Sequence, residues 1–455
     1  MIYLLADVGS TFTKVLAVDF EKEEILGFAK SFTTIITDIY IGFENAVNLL
    51  KKDIGDIKFD KVLVSSSAKG GLKMVSVGLV TDLSAKAGKL AATSAGAKLF
   101  NVYSYELSKD DLLEIENLNT EIVLLTGGID GGNKEVVIKN ATALGEIKGD
   151  FTIVYAGNNK CKKDIENAVG GKKDLRFATN VMPVFGKLDI EPAKECIRQL
   201  FIEKIIQAKG LQKLQNEVHQ DIIPTPLAFL NGLAIFEKEF GNILAFDMGG
   251  ATCDVYSINE GNPKRDKVAL VGLKEPYNKR SVEGDIGMRY SLSFFLEDRV
   301  IKFIEKETGF KYEDIEKYLK YCIEKPDYLP TNDIEKAIEI SVVKFGIDES
   351  TKRHCGYLES TYTLVGEVFM QHGKDLTDTK TIIGAGGAIV NAIDPKDVLS
   401  AALYKIEDDK ALKPLNAQFV IDEKNCITSL GLLFKEEDYI KEKGKKIFLK
   451  YLNIL

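Results

Sequence analysis

One short design occurs twice in this chain, 240 residues apart. Asp7-Val8-Gly9-Ser10-Thr11-Phe12-Thr13-Lys14 follows an apolar run from Ile2 to Ala6. Asp247-Met248-Gly249-Gly250-Ala251-Thr252-Cys253-Asp254 follows another, from Ile243 to Phe246. Each reads as an antiparallel hairpin: a strand ending in Asp, a turn of glycine and small hydroxyl residues, and a returning strand. Glycine leaves such a turn without a Cβ, so an anion can come close to the backbone. Successive N–H groups then form an anion nest, and an Asp at the strand end can hold the water shell of Mg2+. A single Asp-x-Gly turn is an ordinary surface feature. Two copies with the same flanks predict a duplicated lobe, with a phosphate chain clamped between the copies.

A third element narrows the reading. Thr381-Ile382-Ile383-Gly384-Ala385-Gly386-Gly387-Ala388 is a short apolar strand running into a glycine-rich turn, where a flat ring could lie against the backbone. The order of phosphate turn, phosphate turn and glycine-rich turn resembles the phosphate-1, phosphate-2 and adenosine segments of the actin/Hsp70/sugar-kinase superfamily. That resemblance implies an α/β, actin-like ATPase fold built from two ribonuclease H-like lobes.

At 455 residues the chain exceeds one ordinary core, so two or more domains are expected. A net charge of −8 spread along the chain favours neither nucleic acid nor an anionic membrane as partner. Apolar runs are strand-sized, so no membrane span is expected, and the first strand begins at residue 2, leaving no room for a signal peptide. A cytoplasmic location follows as the default. Cys161, Cys196, Cys253, Cys322, Cys355 and Cys426 are scattered, which supports neither a zinc site nor a disulfide framework. His219, His354 and His372 are the only histidines, and none sits in an Asp-x-His-x-x-Gly setting.

Along the chain, residues 1–60 predict the first lobe with the phosphate-1 hairpin, an extended stretch from Lys30 to Thr37 and a helix near Asp38 to Lys52. Residues 61–185 predict an inserted α/β domain: a strand at Val62–Val64, the string Ser65 to Gly71, a strand to Val80, a small-residue helix from Asp82 through Leu99, then strands at Val102–Glu106, Glu121–Thr126, Phe151–Ala156 and Leu175–Thr179. In it, Thr126-Gly127-Gly128-Ile129-Asp130-Gly131-Gly132-Asn133 lies between a strand and a helix, where α/β sheets bind ligands; it is either a tight structural turn or a ligand or partner site. Residues 186–240 continue the first lobe, with a helix from Glu191 to Lys209 ended by Gly210 and a connecting helix from Leu227 to Phe240. Residues 241–280 hold the phosphate-2 hairpin and 281–375 a helical subdomain of the second lobe. In that subdomain Glu283, Asp285 and Arg289 lead into a long helix ending near Gly309, with a charged helical stretch from Tyr312 to Phe345. Residues 376–455 complete the second lobe.

The material between the signature turns resembles the GlmL/MutL family, accessory proteins of adenosylcobalamin-dependent glutamate mutase. The resembling segments are Leu4 to Thr11, Ser65 to Gly71, Thr126 to Asn133, Asp247 to Asp254, Val282 to Arg289, Arg353 to Gly356 and Gly384 to Gly387, and they span nearly the whole chain. The resemblance implies an ATP- and Mg2+-binding protein that reactivates or assembles the mutase by nucleotide-driven clamp motion, with the mutase subunits as partners. By the same resemblance Asp7 and Asp247 are the catalytic and metal-holding acids. Gly9, Ser10 and Thr11 bind phosphate from one lobe. Gly249, Gly250 and Thr252 bind it from the other, and Gly384, Gly386 and Gly387 face adenine and ribose. Lys14 is either a charge partner for phosphate or a solvated lysine beyond the turn, since strand alternation leaves its face open. Activators of 2-hydroxyacyl-CoA dehydratases share the core but hold an iron–sulfur cluster through cysteines, for which no suitable cluster is visible here.

Chaperone members carry a Glu in the segment before the second phosphate turn, whereas Ile223-Pro224-Thr225-Pro226-Leu227-Ala228 contains no acid. Slow Mg-dependent ATP hydrolysis, or hydrolysis completed by a partner, is therefore expected. Two other readings share the core: a small-molecule kinase using Asp7 or a neighbour as general base, and a hydantoinase-like hydrolase. For Glu283, Asp285 and Arg289 the plain alternative to a nucleotide or partner contact is the start of a helix, and for Arg353-His354 it is a surface pair.

Overall fold

A computed structural model of the chain describes residues 1–34, 37–67, 73–95, 97–205, 211–363 and 366–455. The chain divides into two compact units. One comprises Met1–Ile235, Gly272–Lys274 and Ile427–Lys450; the other comprises Phe236–Val271, Glu275–Cys426 and Tyr451–Leu455.

In the first unit, β1 (Ile2–Val8), β2 (Phe12–Asp19) and β3 (Glu24–Phe32) form an antiparallel meander, and β4 (Lys61–Ser66) pairs in parallel with β1. A second sheet follows, from β5 (Lys73–Gly78), β6 (Lys98–Ser104), β7 (Ile122–Leu125), β8 (Thr152–Tyr155) and β9 (Asp174–Phe177). β10 (Ile223–Pro224) then returns to the first sheet, whose order is β10-β4-β1-β2-β3. The helix Ile39–Ile54 closes one face of that sheet. Asp38 caps its start by accepting from the Tyr40 amide, and Ile39, Phe43, Ala46 and Leu50 recur at helical spacing on its buried side.

The second unit repeats the plan. β11 (Ile243–Met248) and β12 (Cys253–Ile258) form a hairpin, with β14 (Asn278–Glu283) antiparallel to β12. β17 (Thr381–Ala385) runs parallel to β11, and β18 (Gln418–Ile421) runs parallel to β17. With β19 (Asn453–Ile454) at the edge, the order is β14-β12-β11-β17-β18-β19. A small sheet of β13 (Val268–Val271), β15 (Tyr357–Thr363) and β16 (Gly366–His372) lies apart from it. Three antiparallel strands followed by parallel additions beside the first strand, found in both units, make the ribonuclease H-like duplication and the actin-like α/β fold class of the chain.

The inserted sheet has the order β6-β5-β7-β8-β9 and every pairing in it is parallel. Ile122 and Leu124 face one core while Val123 and Leu125 face another, so both sides are buried, as parallel sheets require. The first of those cores also holds Leu4, Val8, Phe43 and Val64 of the amino-terminal sheet, so the insert shares a core with its host lobe.

Several boundaries differ from the sequence expectation. β4 belongs to the first lobe's sheet rather than to residues 61–185, because its partner is β1, some 60 positions upstream. Residues 427–450 belong to the first unit rather than to the end of the second lobe. They are held there by the Glu436 ion pair with Lys61 (2.7 Å), the Tyr3 hydroxyl on Glu436 (3.1 Å) and the packing of Gly444 on Phe20. Gly431 and Gly232 let their two helices cross so closely that a Cβ on either would fall within 2 Å of the other helix's carbonyl oxygen. The small-residue helix opens as a π-helical turn, Thr81–Ala85, that runs into the α-helix Lys86–Ser94; it ends short of Leu99, since Lys98 already starts β6. Gly88 seats that helix on β5, where a Cβ would meet Ser76 Oγ at 2.3 Å. The stretch from Tyr312 to Phe345 is two helices, Tyr312–Glu324 and Asp333–His354. The helix expected from Glu191 is described to Ile205; its expected end at residues 206–210, parts of the Lys30–Thr37 stretch and the string from 68 to 71 lie outside the described residues.

Candidate functional site

In the first hairpin the Gly9 amide closes the turn on the Phe12 carbonyl (3.1 Å), and a Cβ on Gly9 would meet that oxygen at 2.8 Å. Two carbonyls flanking the turn are engaged: Val8 O accepts from the Ser67 amide (2.9 Å) and Thr11 O from the Thr33 amide (2.8 Å). The amides of the exposed residues Ser10 and Thr11 carry no hydrogen bond to a described residue. Asp7, at the end of β1, is buried, and its Oδ1 accepts from Ser65 Oγ (3.0 Å) and Thr225 Oγ1 (2.6 Å). Ser65 ends β4 and Thr225 begins the helix Thr225–Phe240, so three elements meet at one carboxylate. Lys14 stands directly across from Asp7 in the β1–β2 register, which places both side chains on one face of the sheet. Strand alternation alone left that face undecided.

The second hairpin keeps the geometry and changes a partner. Asp247 is opposite Asp254 on β12 and beside Ala385 on β17. Asp254, in the place of Lys14, is held by Arg280 through Nε (3.0 Å) and Nη2 (2.7 Å). The glycine-rich segment is thereby brought against the second phosphate turn. Gly386 adopts φ +83° and ψ 151°, and a Cβ there would lie 2.4 Å from Met248 O and 2.8 Å from Asp247 Oδ1. Gly387 is exposed and starts the helix Gly387–Val390. Gly384 differs from its expected role: it is buried, and a Cβ on it would run into Ile389 (2.6 Å), Leu399 and Ile421, so it serves packing.

What surrounds the second turn was not legible from sequence. Gly249 N donates to Thr252 O (2.9 Å). The next three carbonyls are tied off by the segment that follows β14: Met288 N to Gly249 O (3.1 Å), Arg289 N and Tyr290 N to Gly250 O (both 2.8 Å), and Ser291 Oγ to Ala251 O (2.6 Å). Gly287 permits this contact, since its Cβ would sit 2.4 Å from the Ala251 carbonyl carbon. The amides of Gly250 and Ala251 carry no hydrogen bond to a described residue. Glu283, Asp285 and Arg289 therefore do not start a helix: Glu283 ends β14, and a 3-10 helix at Leu292–Leu296 precedes the α-helix Asp298–Thr308.

Of the expected surface pair, Arg353 is exposed and His354 is not. Arg353 Nη1 bonds Asp285 (2.8 and 2.9 Å) and Glu283 (3.1 Å), and its Nε bonds Glu349 (3.1 Å). Partial burial opposes its charge, but these carboxylates outweigh that and hold the guanidinium firmly protonated. His354 is fully buried, with Nε2 at 2.9 Å from Ser257 Oγ and Nδ1 at 2.8 Å from Ser281 Oγ. Burial, reinforced by Lys279 and Lys374, pushes its pKa well below the usual imidazole range, so it is neutral.

The Thr126–Asn133 loop lies where the inserted sheet reverses its strand order, between β5 and β7. Its polar groups are largely spent within the fold. Gly131 N donates to Asn158 Oδ1 (2.9 Å), and Asn180 Nδ2 donates to Gly128 O (3.0 Å) and Asp130 Oδ1 (2.9 Å). Asn159 adds its amide and its Nδ2 to Asp130, each at 2.9 Å. Burial alone would raise the Asp130 pKa, but these donors together lower it. Leu79, after β5, packs directly on Gly127, so the two loops touch across the switch point. These contacts favour the tight structural turn over a ligand pocket.

Among the described residues no three His, Cys, Asp or Glu side chains gather in a metal-binding group, none of the six cysteines is bridged, and no helix is long and apolar enough to cross a membrane.

The chain is similar to several known proteins. Among solved structures, the nucleotide-free acetone carboxylase from work on ATP-dependent acetone carboxylation is 12% identical, with a TM-score of 0.41 over 94% of this chain and 69% of that one. The (R)-2-hydroxyglutaryl-CoA dehydratase component A of Acidaminococcus fermentans is 11% identical, with a TM-score of 0.30 over 98% and 99%. Protein MutL of Clostridium tetanomorphum is 40% identical over 460 residues, covering 99% of both chains. The family model described as MutL protein matches residues 3–452, and on these two findings the chain belongs to the MutL protein family.

Proposed function

We propose that this protein binds Mg·ATP through its two glycine-bearing turns and acts as an accessory protein of adenosylcobalamin-dependent glutamate mutase, reactivating or assembling it. One observation carries the nucleotide reading. In each unit the turn that follows the Asp-bearing strand has central amides with no hydrogen bond to a described residue, at Ser10 and Thr11 in one and at Gly250 and Ala251 in the other. Successive amides left open at a tight turn suit an anion. Membership of the MutL family supports the mutase as the client.

In this reading the Ser10, Thr11, Gly250 and Ala251 amides bind phosphate oxygens, with Ser10, Thr11 and Thr252 adding hydroxyls. Gly386 and Gly387 leave backbone open to the nucleoside. Asp7 and Asp247 orient metal-bound water. Mg2+, when bound, would offset the charge of the phosphates, with Asp7 and Asp247 as the residues that would hold its water shell. Bound ATP supplies the phosphoanhydride free energy that drives a damaged cofactor out of the mutase. Thr225 occupies the segment where chaperone relatives place an acid, and its hydroxyl fixes Asp7. Hydrolysis by the isolated protein is accordingly slow.

Calorimetric titration with ATP and Mg2+ on wild type, Asp7→Ala and Asp247→Ala tests the site. Both substitutions should weaken Mg2+-dependent affinity, and unchanged binding in both removes the assignment. Incubation with glutamate mutase carrying damaged cobalamin tests the role. ATP-dependent cofactor exchange supports it, whereas phosphorylation of a metabolite without the mutase moves the protein to the kinases.

A further inference from the structure

The second phosphate turn is gripped by residues 287–291, a segment with no helix or strand of its own to hold it. Its anchors come from one place. The helix Asp333–His354 carries Glu339, whose Oε1 lies 3.0 Å from Arg289 Nη1, and Arg353, which ties Glu283 and Asp285. The two anchor points are 14 positions apart, about 21 Å along the helix axis. Between them Gly346 opens a seat for Met248 and Ile286, where a Cβ would meet Met248 Cε at 2.7 Å and Ile286 Cγ2 at 3.0 Å. Arg289 also folds back onto the Met288 carbonyl (2.6 Å), which fixes the backbone whose amides hold Gly249 and Gly250. Tyr318, on the neighbouring helix Tyr312–Glu324, donates to the same Glu339 (3.2 Å).

We infer that Arg289 and Arg353 are positioning residues: through Glu339, Glu283 and Asp285 they make the helix Asp333–His354 the rail that aims the Gly250 and Ala251 amides. Neither guanidinium is assigned to nucleotide. A shift or distortion of that helix is passed to the phosphate turn by two charge-assisted links, and the inward pegs Ile286 and Met288 keep the intervening backbone from absorbing it.

The inference rests on the nucleotide reading, and the experiment separates the two. Hydrogen exchange is measured on the full-length, nucleotide-free protein for wild type, Arg289→Ala, Arg289→Lys, Arg353→Ala and, as a control, Lys302→Ala on the exposed face of another helix. The backbone amides at positions 288, 289 and 290, which donate to the turn, should exchange about tenfold faster in the two alanine variants of the arginines. The lysine variant should recover part of that protection, and the control should match wild type. ATP and adenosine are then titrated into each protein. The arginine variants should lose about tenfold in ATP affinity and little in adenosine affinity, a ratio that general loosening would not move. Unchanged exchange at 288–290 in both alanine variants, with melting temperatures like wild type, overturns the rail. Faster exchange with no ATP binding by wild type keeps the rail and removes the nucleotide reading. Equal losses of ATP and adenosine affinity overturn the claim that these links act on the phosphate turn.

Discussion

Two adjacent glycines of the third motif should respond oppositely to alanine. At Gly386 the backbone sits at φ +83°, ψ 151°, a region that only glycine adopts without strain, and the missing Cβ faces Met248 O at 2.4 Å and Asp247 Oδ1 at 2.8 Å. The strain is worth roughly 1–3 kcal/mol. The clash is with backbone, so β11 or the turn itself must move. Gly386→Ala is therefore expected to destabilise the second unit by about 3 kcal/mol, roughly 150-fold in its folding equilibrium. Gly387 has no positive φ, its nearest neighbour to a new Cβ is Asn391 Nδ2 at 3.5 Å, and it begins a helix. Gly387→Ala should be neutral, or stabilising by up to about 1 kcal/mol through helix propensity. Its effect should fall on nucleotide affinity, because the new methyl stands where the nucleoside is proposed to approach. Urea unfolding, followed by far-ultraviolet dichroism and by the hydrogen exchange of peptides from β11 and β17, gives the stability of that unit. Calorimetry gives the affinity. Equal unfolding midpoints for the two variants would refute the packing argument, and unchanged ATP affinity in Gly387→Ala would refute the assignment of this turn to nucleoside.

Other expectations follow from single contacts. Thr225→Val removes the 2.6 Å donor to Asp7 and should cost about 1–2 kcal/mol in thermal unfolding together with several-fold weaker Mg2+-dependent ATP binding, whereas Thr225→Ser should keep both. Gly287→Ala, whose Cβ would strike Ala251 at 2.4 Å, should weaken ATP more than adenosine by calorimetry. The depressed pKa of buried His354 means the unfolded chain binds a proton that the folded chain refuses, so its stability contribution is intact above about pH 6.5 and is lost as pH falls below it. Urea titrations between pH 7 and pH 5 should show wild-type stability falling by up to about 1.4 kcal/mol per pH unit more steeply than His354→Gln; parallel slopes would rule out the neutral-imidazole assignment.

The hairpins, the third glycine turn and the parallel insert were legible because each rests on local chemistry: strand alternation, Asp-Gly turns and short apolar runs punctuated by glycine. The same locality explains the failures. β4 looked like the opening strand of the insert since nothing near Lys61 announces that its partner is Ile2–Val8. The acids at 283 and 285 imitate a helix start, yet they are the counter-charges of Arg353, 70 and 68 positions away. His354 looked like half of a surface pair with Arg353, although one ring edge meets Ser257 and the other Ser281, both from strands far upstream. Ser65 and Thr225 stood inside segments already singled out, but only pairing of β10 with β4 and of β4 with β1 shows that both hydroxyls reach Asp7.

The two hairpins also show where duplication stops being symmetric. Both keep an Asp at the strand end, a closing amide-to-carbonyl bond across the turn and a parallel strand beside the Asp. Opposite that Asp, one hairpin places a lysine and the other an aspartate neutralised by buried Arg280. The first turn is held chiefly by its own sheet: Ser67 beyond β4 and Thr33 beyond β3 bond its flanking carbonyls. The second is held by an irregular segment whose two arginine–carboxylate links both run to one long helix. Electrostatics therefore differ between the copies at the first ring of partners, and mechanical support differs at the second. A rigid turn and a turn whose aim depends on a helix are unequal in what they can report. Of the two, the second is the one through which a change in the helical part of its unit can alter the aim of the turn's amides.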